Sequence, residues 1–249
     1  MTTDRTTAAT RVPMTSLRKT ALVAGLMYVL TFVSIPTLAL YGPVHAADYI
    51  TGPGPDTAVI VGGILEVIVA LAGIGTAVAL YPVVKRQNQG LALGFVGSRT
   101  LEAAAIFVGV ASLLTVVALR QAGAGADAAV TGQALVAFYD SIFRLGQGFL
   151  PAVNALLLGS LLYRSRLVPR GLPLLGFVGA ALLVTSDAGI MFGLWGQLSV
   201  VSAIATVPIA VWEFSLGVYL IVKGFKPSPI IAGSTAAGAT PAHRDAVAV

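Results

Sequence analysis

Seven ionisable residues stand inside long apolar runs of the chain: Glu66, Arg99, Glu102, Asp140, Arg144, Asp187 and Glu213. A charge at the centre of a bilayer costs at least ~2.5–3.5 kcal/mol on insertion scales, so such groups face a bundle interior, find partners or line a wet path. Their spacing suggests how. Arg99 and Glu102 are three residues apart, Asp140 and Arg144 four apart, and residues at those separations share a helix face and can pair. Glu66, Asp187 and Glu213 have no in-helix partner. Gln147 and Asn154 continue the Asp140–Arg144 stripe, with Pro151 between them. That proline removes a backbone hydrogen bond and is expected to kink the helix, freeing carbonyls near Arg144 and Gln147 to line a cavity. The candidate ligand- or ion-binding set is therefore Glu66, Arg99, Glu102, Asp140, Arg144, Gln147, Asp187 and Glu213. The chemistry it offers is proton carriage or cation binding by surplus carboxylates, because burial and like charge both disfavour ionisation. A plainer account competes with it. Arg99 can snorkel to the nearer membrane face. Buried carboxyls can also serve only as packing contacts, worth about 0.6 kcal/mol each on average in membranes.

The elements that must hold these residues follow from composition. The chain has 249 residues, 57% hydrophobic and 10% charged, with no cysteine. So little polar surface cannot cover a water-soluble globule, and lipid must be the solvent for much of the exterior. A spanning helix needs roughly 20 apolar residues, and six runs qualify: 20–41, 57–84, 93–119, 134–162, 172–194 and 199–222. The first is longer than the ~7–15 residues of a signal-peptide core and reads as a span, although Val44-His45-Ala46 loosely resembles a cleavage site. The fold class expected is all-α, a polytopic bundle of about six transmembrane helices over residues 18–226. Residues 1–17 and 227–249 are expected to be disordered cytoplasmic tails.

The basic residues give an orientation. Twelve of the loop and tail cations, Arg5, Arg11, Arg18, Lys19, Lys85, Arg86, Arg164, Arg166, Arg170, Lys223, Lys226 and Arg244, fall on one side of a six-span chain, against Arg120 on the other. The positive-inside rule then places both termini in the cytoplasm, in a multi-pass protein of the cell membrane. Tyr81, Tyr163 and Tyr219 mark the same boundary, where a phenol suits the headgroup layer. By this orientation Glu66, Asp140, Arg144 and Asp187 lie in the outer half. Arg99, Glu102 and Glu213 lie in the inner half, so each layer holds one arginine and a surplus of acids. The short loops make successive spans antiparallel neighbours. The spacings Gly90-x-x-x-Gly94 and Gly189-x-x-x-Gly193 suit close helix packing.

Several functions are set aside. The net charge of +5 is scattered at helix ends, not gathered into a nucleic-acid-binding stripe. With no cysteine, and with His45 and His243 outside the apolar runs, no metal site and no histidine base within the membrane is expected. Gly73-x-Gly75 lacks the third glycine of a dinucleotide loop, and no phosphate loop is present. Tyr139-Asp140 lacks the Gly-x-Gly-Asp partner of an intramembrane aspartyl protease. No catalytic residue and no cofactor is assigned.

Four stretches carry a resemblance. They are Arg18-Lys19-Thr20-Ala21 leading to Ala24-Gly25-Leu26 and Tyr28; Ala79 to Arg86 (ALYPVVKR); Arg99 with Glu102-Ala103; and Leu161-Leu162-Tyr163-Arg164 with Leu167-Val168-Pro169-Arg170 and Gly176. Over most of residues 18–225 the chain resembles the bacterial membrane family called domain of unknown function 4386. The resemblance implies six membrane helices and no established activity. Three functions stay open: a small-molecule or ion handler using the buried carboxylate–arginine clusters; a non-catalytic membrane subunit or assembly protein whose charges bind a partner helix or fix packing; and a membrane enzyme using carboxylates alone. The lipid bilayer is the expected partner, and a second membrane protein or a homo-oligomer is left open.

Overall fold

The computed structural model describes residues 15–52 and 54–236. Among these, six helical stretches are long and apolar enough to cross a membrane: Ser16–Leu40, Asp56–Val84, Gln89–Gln121, Ala126–Ser165, Gly171–Met191 and Val200–Val222. They coincide with the six apolar runs of the sequence, the largest difference being the fourth, which begins at Ala126 and not near residue 134.

The first stretch is interrupted. Helix α1 (Ser16–Leu30) tightens into a 3-10 turn at Thr31–Ser34 and ends in the short α2 (Thr37–Leu40). Pro36 stands at the break, because it has no N–H to continue the helical ladder. Helices α3 (Asp56–Val84) and α4 (Gln89–Gln121) follow, α4 opening on the Asn88 side chain, which accepts the Leu91 N–H at 2.9 Å. The fourth span is α5 (Ala129–Phe143), a π turn (Arg144–Phe149) and α6 (Leu150–Ser165). Pro151 offers no N–H to the Gln147 carbonyl and crowds that turn, so the chain widens immediately before it. Helices α7 (Gly171–Met191) and α8 (Val200–Val222) complete the bundle, α8 capped by Ser199.

Successive spans pack side by side, and α1 packs on both α3 and α8, so the six spans close into a ring. At the closing seam a Cβ on Gly25 would stand 2.7 Å from the Gly217 carbonyl oxygen, so only glycine lets α1 and α8 approach this closely. Arg18 fastens the same seam by donating to the Leu220 carbonyl at 3.0 Å and the Ile221 carbonyl at 2.5 Å. A cation at a helix C-terminus also meets the negative end of the helix dipole.

The ring has two unlike ends. Lys85, Arg86, Arg164, Arg166, Arg170, Lys223 and Lys226 gather at one, its basic side. There Lys85 lies over the Tyr81 ring (5.3 Å) and Arg170 over Tyr163 (4.8 Å). The larger apolar core, with Leu80, Phe95, Leu158, Leu161, Trp212 and Leu216, fills this half. Smaller clusters around Tyr41, Val59, Leu113 and Tyr139, and around Ala70 and Ile106, fill the opposite half.

The expectation of a disordered tail from residue 227 needs correction over its first part. Pro229–Ala236 forms a short helix, α9, with Ile230 and Ile231 against the core. Two bonds anchor its approach: Lys226 N–H donates to the Leu167 carbonyl at 2.8 Å and Ser228 Oγ to the Ser165 carbonyl at 2.5 Å. Residues 1–14 and 237–249 lie outside the described residues, and the expectation for them with them.

Candidate functional site

Two polar clusters are buried in the ring, one in each half. In the basic half α4 places Arg99 and Glu102 one turn apart, and they pair as their spacing predicts, at 3.0 Å. Glu213, with no partner on its own helix, reaches across from α8 and takes the other guanidinium nitrogen at 2.5 Å. Asn154 Nδ2 of α6 donates to Glu102 at 2.7 Å. Tyr28 of α1 lays its ring 5.3 Å from the guanidinium, and Phe95 lies at 5.9 Å. Arg99 is 3% exposed, so it does not snorkel to water. Four helices thus converge on one cation with two carboxylates around it. Arg99 Nε and Asn154 Oδ1 are buried there with no protein hydrogen-bond partner.

The cluster in the opposite half is built differently. Glu66 of α3 is 1% exposed, and its carboxylate accepts three neutral donors: Tyr41 OH (3.1 Å), Tyr139 OH (2.9 Å) and Gln147 Nε2 (3.0 Å). Among the described residues no ion pair includes Glu66. The two phenol rings meet edge to face, 5.3 Å apart at 80°. Each lies against a glycine. A Cβ on Gly62 would stand 2.4 Å from Tyr41 Cε1, and one on Gly109 3.1 Å from Tyr139 Cδ2.

The expected pairing of Asp140 with Arg144 does not form. Asp140 instead meets His45, its Oδ1 lying 3.1 Å from His45 Nε2. Arg144 donates to Ser141 Oγ (3.1 Å) and Gln197 Oε1 (3.3 Å). Asp187 is 9% exposed, lies against Gly148, and has Oδ2 buried without a hydrogen-bond partner. The expectation that Gln147 and Asn154 extend one stripe from Asp140 is corrected by the π turn, which adds residues to the helical repeat and rotates everything beyond it. Gln147 is thereby turned to Glu66 and Asn154 to Glu102, so one helix serves both clusters. A cavity of about 220 Å³ lies earlier on α5 than Arg144, between Val44, His45, Ile50, Val116, Val136 and Asp140.

Residues 23–224 match the model of the family described as Domain of unknown function (DUF4386). The chain belongs to this family. No curated protein and no solved structure matches it. Every side chain named in the two clusters lies within the stretch matched by the DUF4386 model.

Sequence reasoning missed His45, Tyr41, Tyr139 and Tyr28. The histidine was set aside because it stands outside the apolar runs, yet the chain folds it back onto α5. The tyrosines count among the hydrophobic residues of the composition, while the hydroxyls of Tyr41 and Tyr139 make two of the three hydrogen bonds to Glu66. A tyrosine next to an intramembrane acid, as in Tyr139-Asp140, is the available signal. Among the described residues no group of three or more histidine and acidic side chains could hold a metal ion.

Proposed function

We propose that this integral membrane protein handles protons, with Glu66 as the carboxyl that binds and releases them. The observation behind this is the shell of Glu66: a buried carboxylate held by three neutral donors and no cation. Tyrosine hydroxyls and a glutamine amide can each donate or accept. They satisfy an ionised carboxylate by donating. By rotating or flipping, one of them accepts from the protonated acid. The shell therefore serves both protonation states without moving a helix, which an arginine partner would not allow. A divalent cation fits less well, since hard cations take six or more oxygens and the side chains around Glu66 supply fewer.

The Arg99–Glu102–Glu213 cluster carries a formal surplus of one negative charge, but the guanidinium holds both of its carboxylates, so it suits a fixed ion-pair centre better than a carrier. The subunit reading is weaker, because these charges find their partners inside the chain and not on an outer face.

An infrared pH titration of the protein in lipid tests the proposal. A protonated-carboxyl band that grows as pH falls, and is missing in Glu66→Gln, is the expected result. Identical titrations in the two proteins would sink it.

A further inference from the structure

The chain between the first two spans is a strap over Glu66, fastened at two points of unlike chemistry. Its first residue supplies the Tyr41 hydroxyl on Glu66. Its far end is clamped by Arg120, which donates to Asp56 at 2.7 Å, to the Gly52 carbonyl at 2.8 Å and to the Gly54 carbonyl, and lies 4.9 Å from the Tyr49 ring. Arginine stays charged at any accessible pH, so this clamp is permanent. The other fastening is His45. Its Nδ1 lies 2.8 Å from the Tyr41 carbonyl and its Nε2 3.1 Å from Asp140, so one imidazole ties the Tyr41 end of the strap to α5. Asp140 follows Tyr139, the second hydroxyl on Glu66. His45 and Asp140 also form one wall of the 220 Å³ cavity, beside Val44 of the strap and Val136 of α5.

We infer that His45 and Asp140 form a second proton-binding site, and that a proton held there latches the strap over Glu66 and closes it from the side opposite the basic one. With both ring nitrogens protonated, imidazolium can donate to the Tyr41 carbonyl and to the Asp140 carboxylate at once; neutral imidazole has one N–H and can donate to only one of them. The charged and titratable groups on the elements packed around His45 are Asp140 and Tyr139 of α5, Glu66 and Asp56 of α3, Tyr41, Asp48 and Tyr49 of its own segment, and Arg120 at the end of α4. The hydrogen bond from Asp140 dominates and holds the imidazole above its ordinary value of 6.5, against the opposing effect of partial burial. The latch is thus shut at low pH and released as pH rises through that raised value. The inference deepens the reading of Glu66 as a proton carrier, but the closure is measured separately.

The chain has no cysteine, so a single introduced thiol reports alone. Val44 is 2% exposed on the buried side of the strap, while Ala46 is on its exposed side. Val44→Cys and Ala46→Cys proteins in lipid nanodiscs are labelled with a membrane-impermeant maleimide across the pH range, and each rate is divided by that thiol's own measured thiolate fraction before the ratio is taken, because burial raises a thiol's pKa. The ratio is expected to rise several-fold as pH increases through the His45 titration, and to be flat when His45→Gln is added. Hydrogen exchange of the 44–49 amides in the unaltered protein, corrected for intrinsic rate, should show the same step if Val44→Cys folds poorly. A flat ratio with His45 present overturns the latch, as does a step that survives His45→Gln. A step that vanishes in Glu66→Gln assigns the movement to Glu66 and overturns it too. An intact step in a protein whose Glu66 shows no infrared titration supports the latch and removes only the proposed role of Glu66.

Discussion

The two buried clusters solve the same problem in opposite ways. Around Arg99 a permanent cation is wrapped by Glu102 and Glu213, supplied from α4 and α8, with Asn154 of α6 and Tyr28 of α1 closing the shell. Around Glu66 there is no charge of opposite sign, only two phenols and an amide. The first arrangement ties four helices to one point and resists change, because each carboxylate needs the guanidinium. The second holds one group in a shell that tolerates either protonation state. A ring of six spans with one rigid centre and one adaptable centre can change protonation in one half while the other keeps its packing.

The sharpest way to break this contrast is Arg99→Met. It strands two buried carboxylates, and removing one partner of a buried pair costs about 3–5 kcal/mol. We expect a loss of that size in denaturant or thermal unfolding in detergent. Combining it with Glu102→Gln and Glu213→Gln should recover most of the loss, since neutral replacement of a whole buried pair is often tolerated. No recovery would mean that Arg99 contributes mainly by packing on Tyr28 and Phe95.

Gly62→Ala probes the other centre from behind. The new methyl would sit 2.4 Å from the Tyr41 ring, and overpacking of this kind costs about 1–3 kcal/mol. Tyr41 should be pushed off Glu66, seen as a shifted infrared titration of the carboxyl. An unchanged titration would detach Tyr41 from the site. Glu66→Gln itself should cost about 1 kcal/mol or less, the scale of a single hydrogen bond, because an amide fits the same neutral shell. A loss as large as that of Arg99→Met would show that Glu66 is structural and erase the contrast.

The smallest effect concerns His45 and Asp140, whose side chains are 41% and 35% exposed. Screening limits an ion pair of this exposure to about 0–1 kcal/mol. Its sign is fixed by the raised imidazole. The folded protein binds this proton more tightly than the unfolded chain, so the contribution is full below the ordinary value of 6.5 and fades as pH rises through the raised one. Unfolding midpoints of wild type and His45→Gln should therefore differ at pH 6 and converge at alkaline pH. A gap that widens with pH would reverse the assignment.

How far the sequence reached depended on the range of the interaction. The six spans were legible because length and apolarity are local properties, and each lipid-facing helix must satisfy its own backbone. The Arg99–Glu102 pair was legible because helical geometry alone sets residues three apart on one face. The gathering of basic residues at one side followed from span count. What the sequence could not settle was every contact made across the ring. Glu213 meets Arg99 over a separation of 114 residues, and His45 meets Asp140 over 95. Asp140 and Arg144 had the right spacing to pair, yet tertiary partners outbid the local one. The direction of Gln147 was decided by a π turn that no periodicity reveals, since it inserts its extra residue only where Pro151 and the neighbouring helices make the wider turn favourable. Hydropathy and helical period fix what one helix must do for itself. Which of its polar groups meet is decided by how six such helices close upon one another.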